Sequence, residues 1–159
     1  MSATRFLATV AIVTSLTSVA SAQSATQTVT YQIDAINQIS LSGSPSLVVN
    51  TATAGSNPTS VTASATWAVT TNQTGTKITA SIGSNMPAGL TLTVALAAPA
   101  GASSAGTQSL STTAVDLVTA ITKVAQSALS VTYTLSATAA AGVVSSTTRT
   151  VTYTITGGT

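Results

Sequence analysis

Two stretches near the C-terminal end of the chain alternate apolar side chains with hydroxyls, and this alternation restricts the fold more than any other feature. Leu129-Ser-Val131-Thr-Tyr133-Thr-Leu135-Ser-Ala137 is the first, and Arg149-Thr-Val151-Thr-Tyr153-Thr-Ile155-Thr156 is the second. A period of two sends the apolar set to one face of a strand and the hydroxyls to the other. The pattern predicts the two strands of one hairpin, joined through the small residues Ala139-Ala-Ala-Gly142. The motif Val-Thr-Tyr-x-aliphatic appears a third time as Val29-Thr-Tyr31-Gln-Ile33, so all three tyrosines sit in the same local pattern.

Further alternating runs cover most of the chain. Thr28–Ile33 reads as the first strand and Leu47–Val49 as a short apolar one. Ser60–Thr70 turns Val61, Ala63, Ala65, Trp67 and Val69 to one side. Thr71–Thr76 reads as a hairpin connection into Lys77–Ile82, and Leu90–Leu96 follows after a Pro/Gly turn. Gln108-Ser-Leu110 reads as a short edge strand. Residues 114–124 fit both periods: Val115, Val118 and Ile121 lie at helical spacing, Val115 and Leu117 at strand spacing. Together these runs predict an all-β, antiparallel, two-sheet immunoglobulin-like sandwich of about seven to nine strands. A small membrane barrel also alternates, but it wants aromatic girdles that this chain lacks. Trp67, the one tryptophan, is expected to anchor the core; the alternative is a stacking face for a sugar ring.

The N-terminus has the layout of a secretion signal. Arg5 supplies a positive charge, Phe6–Leu16 is mostly apolar, and Ala20-Ser-Ala22 offers a cleavage site. Residues 1–22 are therefore expected to be removed, leaving 23–159 as one β-sandwich domain. The apolar run is shorter than the roughly 20 residues a membrane span needs, and no transmembrane anchor is expected. Localisation follows: secreted by way of the periplasm, to the cell surface or the extracellular space.

Composition excludes much chemistry. The chain has no His and no Cys, and Asp34 and Asp116 are its only acidic residues. Imidazole-based triads and His/Cys metal sites are unavailable, and no Asp-rich loop offers a calcium site. No catalytic residue, metal or cofactor is assigned, and the chain is expected not to be an enzyme. Lys77, Lys123 and Arg149 are too few and too scattered for a phosphate-binding patch, so nucleic acid is not an expected partner. A surface covered by Ser and Thr with so little charge invites edge-to-edge association.

The segment Thr28-Val-Thr-Tyr-Gln-Ile33-Asp34-Ala-Ile36-Asn-Gln-Ile39, together with the closing Val151-Thr-Tyr-Thr-Ile155-Thr-Gly-Gly, resembles the chain ends of cysteine-free bacterial pilins of the chaperone–usher type. The resemblance covers the two ends only. It implies an immunoglobulin-like pilin fold, a fimbrial structural or adhesive role, a periplasmic chaperone, and self-association by donation of strand 28–33 to a neighbour. Val29, Tyr31 and Ile33 are then the subunit-contact residues. Two other readings stay open. One is a monomeric carbohydrate-binding module that stacks a glycan on Trp67 and the tyrosines. The other is a flat threonine array, with Thr148, Thr150, Thr152, Thr154 and Thr156 on one face and Thr132 and Thr134 beside them.

Overall fold

The computed structural model describes residues 21–159, so the expected signal peptide lies, apart from its last two residues, outside the described part. Nine strands form, with a single 3-10 turn at Ala139–Ala141. They are β1 (Asn37–Ser42), β2 (Val61–Thr71), β3 (Thr76–Ile82), β4 (Leu90–Leu96), β5 (Ser103–Ser104), β6 (Gln108–Ser109), β7 (Val115–Ile121), β8 (Val124–Ala137) and β9 (Val151–Thr156). One sheet has the order β1-β2-β8-β4-β6, the other β5-β7-β3-β9, and every pairing is antiparallel. The expected all-β, two-sheet sandwich is the observed architecture. β5 and β6 are stubs. Among the longer strands, β8 lies beside β2 where the immunoglobulin order would seat the strand before it.

From β2 onward, every connection between consecutive strands crosses from one sheet to the other. The C-terminal hairpin expected from the sequence is therefore not formed. β8 belongs to the five-stranded sheet and β9 to the four-stranded one. Thr71–Thr76 is likewise a crossing and not a hairpin turn. The cause is hydrophobic: each strand has one apolar face, and crossing over lets consecutive strands press those faces together across the core.

The core lies where those faces meet. Trp67, Val69, Ile78, Leu96, Leu117, Ile121, Val94, Val118 and Val131 are almost completely buried. Alternation is cleanest in β3, where Thr76, Ile78, Ala80 and Ile82 point in, and β4 follows with Leu92, Val94 and Leu96. Trp67 pairs across with Leu41 of β1 and Leu129 of β8. Its Nε1 is buried without a hydrogen-bond partner, an omission that costs about 1–3 kcal/mol.

Residues 114–124 resolve as strand β7. Leu117 and Val118 are both buried, and the pairing with β3 slips twice. Ala120 has a positive φ of 59°. These bulges break the period of two and leave Val118 and Ile121 three apart on the inner side, which is why the stretch also fits a helix. Ala128 (φ 57°) marks a similar irregularity in β8, where the register with β2 shifts between Trp67 and Val69.

Two expected strands are absent. Leu47–Val49 alternates in burial, with Leu47 and Val49 half-buried and Val48 exposed, but it joins no ladder. Thr28–Ile33 also belongs to no strand.

Gly89 is a position where only glycine fits. Its φ is +80°, and an added Cβ would come within 2.8–3.0 Å of Thr138 Oγ1 and the Ala141 backbone. Replacing Trp67 by Ala is expected to lower stability by about 3–5 kcal/mol, the usual range for emptying an aromatic core site. Trp67→Phe is expected to cost clearly less, because it also discards the orphaned N–H. Urea unfolding of the two variants measures the difference.

Candidate functional site

Among the described residues the charged side chains build no reactive cluster. Lys77 on β3 and Asp116 on β7 form an ion pair of 3.0 Å in which both side chains are about half exposed. A pair so placed contributes about 0–1 kcal/mol. No group of three or more His, Cys, Asp or Glu occurs among the described residues. No helix among them is long and apolar enough to cross a membrane.

The three Val-Thr-Tyr motifs occupy different surroundings. In β8, Val131 and Tyr133 are buried and Leu135 is half-buried. In β9, Val151, Tyr153 and Ile155 are half-buried and pack against the core. Both strands thus turn the Val, Tyr and aliphatic positions inward and the threonines outward. The third copy does neither. Val29, Tyr31 and Ile33 are 73%, 88% and 78% exposed, and residues 28–33 adopt no strand pairing.

The chain is anchored just after this segment. Asn72, in the β2–β3 connection, donates from Nδ2 to the Asp34 carbonyl at 2.7 Å. Its Oδ1 accepts from the Ile36 N–H at 2.8 Å. Residues 34–36 are therefore held at the end of the sandwich where β2 finishes and β3 begins. A shallow hollow of about 330 Å³ lies there, lined by Ile36, Asn72 and Lys123 among others.

The opposite end holds a much larger groove of about 1010 Å³. Its apolar lining includes Leu41, Leu47, Met86, Leu92, Leu135 and Val151, and the phenols of Tyr133 and Tyr153 also face it. Gly43, with a φ of +91°, lets the chain leave β1 close over Ala65 of β2. Residues 46–50 then run along the groove, as do residues 144–149 ahead of β9. Neither stretch forms a strand, and no backbone hydrogen bond ties 46–50 or 143–150 to the rest of the described chain. Val143 is fully exposed and Val144 is 42% exposed.

Tyr133 and Tyr153 link the two sheets at the groove, hydroxyl to hydroxyl at 2.7 Å. Burial raises the Tyr153 phenol well above the ordinary tyrosine range, and the hydrogen bond to Tyr133 adds to the shift. Arg149 is the one charged residue in the groove lining. One of its terminal nitrogens donates to the Thr148 carbonyl at 2.9 Å. Its Nε is buried and has no partner among the described residues.

Two of the candidate binding surfaces change on inspection. Trp67 is 1% exposed and offers no ring face to a glycan; stacking needs an open face. Tyr133 is also buried. The threonine array is divided between the sheets. Thr152, Thr154 and Thr156 of β9 are exposed and pair with Ser81, Thr79 and Lys77, whereas Thr132 and Thr134 lie on β8 in the other sheet. Hydroxyls do line up there across four strands, as Ser109, Thr93, Thr134 and Thr62. Adjacent strands twist by roughly 20–25°, so the row is not planar.

The comparisons with known proteins give no neighbour: no family model, curated protein or solved structure matches the chain. The groove and Arg149 had no forewarning in the sequence. The signal for the exposed segment was stronger, because it repeats a motif that is buried elsewhere in the same molecule.

The Tyr153 environment makes a pH dependence. The folded state holds the phenol protonated while the unfolded chain ionises near the ordinary value of 10.0. The stabilising contribution is therefore whole below that pH and declines as pH rises above it. Tyr153→Phe is expected to lower stability at neutral pH by about 1 kcal/mol and to flatten the alkaline decline. Denaturation midpoints between neutral and alkaline pH test both.

Proposed function

We propose that this protein is a secreted, non-enzymatic structural subunit of a surface fibre, assembling by donation of the strand formed by residues 28–33. One observation carries the reading. A strand motif whose two sibling copies bury their Val, Tyr and aliphatic side chains is repeated in a segment that leaves all three in solvent. Exposed apolar side chains in strand alternation, on backbone without a ladder, are suited to completing another sheet. Burying Val29, Tyr31 and Ile33 at such a contact contributes roughly 1.5–3 kcal/mol for each side chain. The ladder adds backbone hydrogen bonds to that.

The sparse charge favours the same reading. Six charged side chains in 159 residues provide little repulsion between copies. With no cysteine, joints between subunits rest on packing and hydrogen bonds alone. The similarity of the chain ends to chaperone–usher pilins agrees with this role. It brings with it a periplasmic chaperone that shields the apolar segment before assembly, and a final place on the cell surface.

Size-exclusion chromatography with light scattering tests the proposal. The secreted chain is expected to elute as multimers. A variant carrying Val29→Ser, Tyr31→Ser and Ile33→Ser is expected to be monomeric. Because these side chains are mostly exposed, its thermal midpoint should match the parent's, as surface changes usually alter stability by no more than about 0.5 kcal/mol. A triple variant that fails to fold would place the segment in its own core, and a parent that stays monomeric at high concentration would remove the assembly role.

A further inference from the structure

We infer that the groove of about 1010 Å³ is a binding site for an amphipathic monocarboxylate, with its acyl chain between the sheets and its carboxylate at Arg149. The site goes beyond strand donation and does not depend on it.

The dimensions suit a small amphiphile. Ligand pockets usually enclose roughly 300–1,000 Å³ and are lined mostly by apolar side chains around a few polar groups. Here Leu135 of β8 pairs with Leu92 of β4, and Ala137 with Leu90, and all four line the groove. From Tyr133 to Ala137 the lining advances along β8 by about 13 Å, at roughly 3.3 Å per residue. An extended acyl chain advances about 1.25 Å per carbon, given C–C bonds of about 1.5 Å. A chain of about ten carbons therefore spans that floor.

The polarity of the groove has a direction. β8 ends and β9 begins at the same end of the sandwich, joined by residues 138–150. Tyr133 and Tyr153 meet hydroxyl to hydroxyl at 2.7 Å between the two walls. From Tyr153 toward that connection the lining continues with Val151 and then Arg149. An apolar middle therefore separates the phenols from a single cation. Such a gradient matches a molecule with an apolar body and one charged end.

The head group follows from Arg149. It is the one charged residue of the lining, and neither carboxylate of the chain lines the groove. Its Nη1 donates to the Thr148 carbonyl at 2.9 Å. Its Nε is buried and has no partner among the described residues. A buried N–H of a charged group is costly to leave unpaired. Nε and the terminal nitrogen beside it form the edge of a guanidinium that holds a carboxylate through two parallel hydrogen bonds. A monoanion balances this single charge, whereas a phosphate dianion would leave excess negative charge in apolar surroundings. No backbone hydrogen bond ties residues 143–150 to the rest of the described chain, so the segment can turn the guanidinium edge onto the ligand.

Fluorescence titration of the full secreted chain tests the site. The probe is cis-parinarate, a conjugated fatty acid whose emission rises in apolar surroundings. It is displaced by octanoate, decanoate and dodecanoate, each below its micelle-forming concentration. Every added methylene is expected to tighten displacement by up to about fourfold. Dodecan-1-ol and methyl dodecanoate keep the chain and lose the anion, and they are expected to displace at least about tenfold more weakly. Arg149→Gln is expected to weaken dodecanoate at least about tenfold and to leave dodecan-1-ol unchanged; a role for Arg149 in the fold alone would shift both. The same titrations are run on the Val29→Ser, Tyr31→Ser, Ile33→Ser variant, which lacks the exposed apolar side chains as a competing surface. Saturable binding to neither protein overturns the site. Equal displacement by acid and alcohol also overturns it, since that marks an indifferent apolar surface. An unchanged dodecanoate affinity in a folded Arg149→Gln variant removes the carboxylate from Arg149 and overturns it as well. The comparison of acid with alcohol needs no Arg149 variant, so a misfolded one leaves the test intact.

Discussion

A β-strand satisfies only part of its own hydrogen-bonding capacity, and the remainder has to be met by a neighbour. That requirement organises this molecule. Where neighbours are present, nine strands pair into two sheets and close over a core centred on Trp67. Where they are absent, the chain forms no strand ladder. Residues 28–33, 46–50 and 143–150 all have this character. The first of these carries the most regular apolar pattern of the three, and the other two border the groove.

The core must hold without covalent help, since the chain has no cysteine. It does so with aliphatic residues from both sheets and one large aromatic. Each crossing connection adds to this by tying one sheet to the other. The Tyr133–Tyr153 hydrogen bond is a polar link across the same gap, at the end where the sheets part to form the groove. Apolar packing weakens toward that end: Val61, Ala63 and Ala65 of β2 are only half-buried, while Val69 is buried. β1 accounts for the difference. It pairs with β2 only from Thr66 to Thr71 and leaves the first half of that strand without a neighbour on one side.

Much of the architecture is legible along the chain. Ser60–Thr70 and Leu90–Leu96 are strands with the inward set that alternation indicates, and Trp67 is the core anchor its position suggests. Gln108–Ser109 is an edge strand. Difficulty arose where local pattern and long-range pairing part company. Residues 115–121 fit a helix because bulges disturb their period, and a bulge depends on the partner strand. The supposed C-terminal hairpin failed because its two halves, although alike in sequence, serve opposite sheets. The hydroxyl array divided for the same reason.

The sequence by itself determined that this chain is β-structured, sparse in charge and without the histidine and cysteine that imidazole triads and zinc sites use. Alternation and composition are local properties, and they act before any long-range contact forms. Only the tertiary structure decided which strands are neighbours, that every crossing after β2 changes sheet, and that a groove opens at the end remote from Asn72. Those outcomes depend on how apolar faces distant in sequence bury one another, and no single strand carries that information. The same division explains Tyr31, Tyr133 and Tyr153: three copies of one motif are equivalent as sequence, and only the presence or absence of a sheet beside them buries Tyr133, half-buries Tyr153 and leaves Tyr31 in solvent.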